Sequence, residues 1–140
     1  MNSEEFYKAI NGDYLNTLNR LGNEQIVSHF IKEFKNDQTF NNLRTSYENH
    51  NIENAFLAVH TLKGICANLG FTELEKKAST LTEILRKRTF ENSEEAYKEV
   101  VITYNKIFEF LKQYKKINLL LMILFQENYK KVFYSIKTKF

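Results

Sequence analysis

A chain of 140 residues and 16.7 kDa is the size of one domain with room for an appendage. With 43% hydrophobic residues, no Pro and only four Gly, it has the material for a core. It lacks the punctuation of a multi-turn β-sandwich and of glycine-rich nucleotide loops. The net charge of +3 hides an asymmetry, because seven Lys against Glu127 alone give residues 112–140 a charge of +6 and leave −3 for residues 1–111. The single cysteine, Cys66, excludes an intrachain disulfide, and the N-terminus does not resemble a secretory leader, so a cytoplasmic location is expected.

Two short helical pieces are expected between Ser3 and Leu21, one carrying Phe6, Ala9 and Ile10 and the next Tyr14, Leu15 and Leu18, with Gly12 and Asp13 between them. Asn23 caps a helix whose apolar residues Ile26, Val27, Phe30, Ile31 and Phe34 recur every three or four positions. A shorter stretch with Phe40, Leu43 and Tyr47 ends in the polar run from Glu48 to Asn51, and Asn51 caps the next helix. That helix runs to about Leu69, where Gly70 supplies a left-handed residue. Thr72 and Glu75 form a capping box for a further helix with the stripe Leu74, Ala78, Leu81 and Leu85, ending in Arg86, Lys87 and Arg88. Residues 52–88 are thus expected to form a helical hairpin. A last helix starts at residues 92–95 and presents Tyr97, Val100, Val101, Tyr104, Ile107, Phe108 and Leu111.

Four main helices with short links predict an all-α, antiparallel up-down four-helix bundle with short N-terminal helices and a C-terminal helical extension. The bundle is expected over residues 1–116 and the extension over 117–140. Residues 117–125 hold eight apolar residues and Asn118, well short of the roughly 20 needed for a membrane span. For the extension, packing on the bundle, a homodimer with a second copy, and contact with an anionic membrane surface stay open. No module for reading nucleic acid is visible.

The helix from Ile52 to Leu69 carries the chemistry. At about 100° per residue, with His60 at zero, Ala58, Leu62, Ile65, Cys66 and Leu69 fall between roughly 140° and 240°, the arc expected to be buried. His60 points the other way. Lys63 falls at about −60°, Gly64 at about +40° and Ala67 at about −20°, so the imidazole has one ammonium and two nearly bare positions beside it. A glycine inside a helix costs roughly 1 kcal/mol relative to alanine. Close packing of a neighbouring helix is one explanation for Gly64, and room for an incoming group at His60 is the better one, since Gly64 lies far from the buried arc. An unprotonated imidazole is a nucleophile near neutral pH, and an ammonium one turn away pairs with phosphoryl oxygens. Phe56 and Leu57 lie one turn before His60 on the same face, either as an apolar rim for a partner or covered by the N-terminal helices. His29 and His50 carry no such neighbourhood and are expected to be ordinary surface residues.

The run Val59-His60-Thr61-Leu62-Lys63-Gly64-Ile65-Cys66-Ala67-Asn68-Leu69-Gly70 resembles the H-x-L-K-G motif of histidine-containing phosphotransfer (HPt) domains, and the similarity extends over roughly residues 10–111. The resemblance implies a two-component phosphorelay protein that accepts a phosphoryl group on His60 from a receiver-domain aspartate and passes it to another receiver. Lys63 would be the electrostatic partner and Gly64 the residue that leaves space. Phe56, Leu57, Ala67 and Arg86 would face the partner, although Arg86 reads equally well as a solvated helix end. Ile65 departs from the Ser or Ala usual after the Lys-Gly pair. The implied partners are response-regulator receivers and a hybrid histidine kinase. No cofactor of its own is expected, Mg²⁺ coming with the receiver, and no autonomous kinase activity. The alternative is a four-helix adaptor that binds receivers or partner helices without phosphotransfer.

Overall fold

A computed structural model describes residues 1–114 of the chain. These residues form seven helices: α1 (Ser3–Ala9), α2 (Tyr14–Leu21), α3 (Glu24–Asn36), α4 (Thr39–Glu48), α5 (Ile52–Leu69), α6 (Thr72–Leu85) and α7 (Glu94–Gln113). No strand occurs among the described residues, and the fold is all-helical. No described helix is long and apolar enough to cross a membrane. The expected extension over 117–140 lies outside the described residues.

The starts of the helices follow from short polar side chains. Asn2, Asp13, Asn23 and Asn51 each accept a hydrogen bond from a first-turn backbone N–H, satisfying donors that a helix leaves unpaired. The capping box expected at Thr72 and Glu75 does not form. The helix begins one residue earlier, after Phe71, so the Thr72 hydroxyl lies inside the first turn and donates back to the Gly70 carbonyl at 3.3 Å. At the other end α6 stops at Leu85, and Arg86, Lys87 and Arg88 extend beyond it. With no glycine there to end the helix, Arg88 itself takes a left-handed conformation at φ 60°.

The most extensive interfaces are those of α5 with α6, α4 with α5, and α6 with α7, so α4 is a larger part of the packing than its weak periodicity suggests. Aromatic rings join it to α7. Phe40 stacks on Tyr104 at 3.8 Å between centroids, and Tyr47 on Tyr97 at the same distance. The α6 stripe is buried as expected at Leu74, Ala78, Leu81 and Leu85. On α5 the buried residues are Ala55, Ala58, Val59, Leu62, Cys66 and Leu69. Ile65 is half-buried, lining a groove with Phe30, Phe34 and Leu69, whereas Val59 is fully buried; α4 and α6 flank α5 and shift its buried face toward Val59.

The first two helices belong to the same core. Phe6, Tyr7 and Ile10 are buried, and Phe6, Tyr7 and Phe34 all pack against Phe71 with ring centroids 5.0–5.8 Å away. Gly12 sits where the link between α1 and α2 meets the link between α5 and α6. A β-carbon on Gly12 would stand 2.8 Å from both the Gly70 carbonyl oxygen and the Tyr7 ring. This approach lets the Asp13 N–H donate to the Gly70 carbonyl at 2.8 Å and the Tyr7 hydroxyl to the Leu69 carbonyl at 2.5 Å. The carbonyls at the end of α5, which lack partners within the helix, are thereby satisfied. Arg20 of α2 adds donors to the Ala67 and Asn68 carbonyls at 3.2 and 2.9 Å.

Candidate functional site

The outward face of α5 presents His60 in the solvent-exposed state expected from its place on the helix, because the opposite face is fully occupied by core residues. Gly64, one turn on, is also exposed, and a β-carbon there would meet nothing within 4 Å. Close packing therefore does not account for the glycine. Lys63 is half-buried and Ala67 exposed.

Among the remaining candidates, Phe56 places its ring beside that of His60. The two rings are 5.9 Å apart between centroids and tilted by 46°. Phe56 is half-buried, with guanidinium groups from the end of α6 over its ring: that of Arg88 at 3.8 Å from the centroid and that of Arg86 at 5.4 Å. Attraction between a cation and an aromatic face favours this arrangement. Leu57 is 63% exposed and lines a groove of about 450 Å³ between α4 and α5, with Thr39, Asn42, Asn54 and Thr61. Ala67 lies further along α5, its carbonyl held by Arg20.

Arg86 is exposed and bonded to its own helix. Its Nε and Nη2 donate to the two carboxylate oxygens of Glu83 at 3.2 and 3.1 Å. The pair holds the Glu83 carboxyl below its usual range, first through the Arg86 hydrogen bond and its charge, with smaller contributions from Lys63 and His60. Arg88 pairs with Glu53 at 2.9 Å, tying the end of α6 to the first turn of α5. Glu83, Arg88 and Glu53 were not among the sequence-based candidates. The three-residue spacing of Glu83 and Arg86 was a local signal for their pair. Nothing local marks Glu53 and Arg88, which only the packing of α5 on α6 brings together.

Cys66, on the inner side of α5, is fully buried, and burial pushes its thiol far above the usual range. It is unsuited to nucleophilic work. The reactive candidate is thus an exposed imidazole with an open position beside it, an ammonium one turn away and two guanidinium groups around the adjoining phenyl ring.

The family model of the Hpt domain matches residues 25–114. The chain belongs to the Hpt domain family. Neither the curated proteins nor the solved structures compared with it include a match. Membership ties the chain to histidine phosphotransfer in two-component signalling, in which Hpt domains interact with receiver domains and kinases. The match begins within α3, so α1 and α2 precede it although they share the core of this Hpt domain.

Proposed function

We propose that this Hpt domain is a phosphorelay intermediate in which His60 accepts a phosphoryl group from a receiver aspartate and delivers it to another receiver. The observation that carries this reading is the exposed His60 imidazole beside a glycine whose missing side chain leaves open space. Lys63 is the electrostatic partner of the transferred group, and Gly64 keeps its approach clear. Phe56, Leu57, Ala67 and Arg86 belong to the receiver-facing surface, which combines apolar area with positive charge.

The unprotonated imidazole nitrogen attacks phosphorus, the bond to the aspartyl oxygen breaks, and the carboxylate leaves with the bonding electrons. The second ring nitrogen keeps its own proton. Because the transition state is loose, the chain contributes alignment and charge neutralisation. The Mg²⁺ belongs to the receiver in this reading. A hybrid histidine kinase supplies the donor receiver. The functional unit in this reading is the helical bundle, an antiparallel up-down arrangement of its four main helices.

A labelled phospho-receiver tests the proposal. Label is expected to move to the wild-type chain, to be acid-labile and base-stable, and to be lost in His60→Gln. Receiver binding without transfer of label would favour the adaptor.

A further inference from the structure

An arriving phosphoryl group brings close to two negative charges to His60, and the two guanidinium groups around Phe56 already have carboxylate partners. Arg86 is the informative case, because the Nε and Nη2 edge of its guanidinium is committed to Glu83. Its guanidinium lies 5.4 Å from the centre of the Phe56 ring, which in turn lies 5.9 Å from that of the imidazole. The Arg86 side chain is exposed, so leaving Glu83 for a group arriving near Phe56 needs only rotation about its own bonds.

Resting on the phosphotransfer reading, we propose that Glu83 is a positioning residue that limits the stability of phospho-His60 by competing with the phosphoryl oxygens for Arg86. Before transfer, Arg86 neutralises Glu83. After transfer, the phosphoryl oxygens and the carboxylate compete for the charge of the same guanidinium, whose Nε and Nη2 edge faces Glu83. If Arg86 turns to the phosphoryl group, the carboxylate is left uncompensated beside new negative charge; if it stays, the phosphoryl group goes without it. Either way the cost falls on the phosphorylated state of His60 and favours return of the group to an aspartate. The influence of Lys63 and His60 on the Glu83 carboxyl agrees with its facing this site. Because the Glu83–Arg86 pair is exposed, the effect is modest and weakened by salt.

The full chain is equilibrated with a phosphorylated receiver that charges it, and the ratio of label on the chain to label on the receiver is read for wild type, Glu83→Gln, Arg86→Ala and the double variant. Glu83→Gln is expected to raise the ratio about two- to fivefold at low salt, and this gain is expected to vanish in the Arg86→Ala background. An unchanged ratio in Glu83→Gln, or an equal or larger gain without Arg86, would overturn the proposal. Circular dichroism checks that the surface variants stay folded. Failure of the wild type to take label from any receiver would overturn the phosphotransfer reading and this proposal together, whereas normal charging with an unaltered ratio overturns this proposal alone.

Discussion

Gly64 separates stability from function at a single residue. It is exposed, helical and bordered by empty space, so alanine there gains helix propensity without meeting a neighbour. Gly64→Ala should therefore stabilise the fold by about 0.5–1 kcal/mol. The added methyl also stands beside the imidazole, in the space proposed for the phosphoryl group, and should slow phosphorylation of His60 by about tenfold or more. Denaturant melts and single-turnover transfer check the two halves. A destabilised variant, or one that transfers at the wild-type rate, would contradict this account of the glycine. His60 itself was legible from the sequence because its exposure depends on helical periodicity alone, with the buried stripe of α5 on the far side.

Among the connections between elements, the two-residue link from α5 to α6 is the most constrained. Gly70 has φ 70°, and a β-carbon there would lie 2.1 Å from the Thr17 hydroxyl oxygen and 2.8 Å from the Asp13 carbonyl oxygen. Gly22, at φ 97°, has nothing within 4 Å of the same position. Gly22→Ala should thus cost only the backbone conformation, about 1 kcal/mol, whereas Gly70→Ala must also displace α2 and should cost about 2 kcal/mol or more. Equal losses in urea unfolding of the two variants would show that α2 does not press on the α5 end. A turn at Gly70 was readable from the sequence, since a glycine after a long apolar-striped helix commonly marks its end. Its pressure against Thr17, and the need for Gly12 opposite, were not, because both arise from contact between segments more than fifty residues apart.

Buried and partnered phenols decide how the whole molecule responds to alkali. Burial raises Tyr7, Tyr97, Tyr104 and Tyr114 above the ordinary value of 10, and burial together with donation to Glu24 raises Tyr14 to about 12. These phenols stay protonated in the native state while the unfolded chain ionises, so above about pH 10 the native state binds more protons than the unfolded one. The stability they provide is complete below pH 10 and is lost as the pH rises through their native values. The melting temperature should fall steadily between about pH 10 and 12, and phenolate absorbance should show a step on unfolding. A flat melting profile across that range would mean that the hydroxyls are not held as described.

The sequence by itself determined where the helices lie, which faces of α3, α6 and α7 turn inward, and that His60 and Gly64 share the outward face of α5. These properties depend on neighbours three or four residues apart and on caps such as Asn23 and Asn51, whose bonds close within one turn. The family resemblance was legible for the same reason, being carried by one continuous run on α5. Tertiary structure alone decided the surroundings of the imidazole: Arg88 over Phe56, Glu53 against Arg88, and Arg86 near the same phenyl ring. It also moved the buried arc of α5 from Ile65 toward Val59, and replaced the Thr72 cap with a bond back to Gly70. Each of these depends on how α5 and α6 approach one another and on the path of the chain at their ends, which local periodicity does not encode.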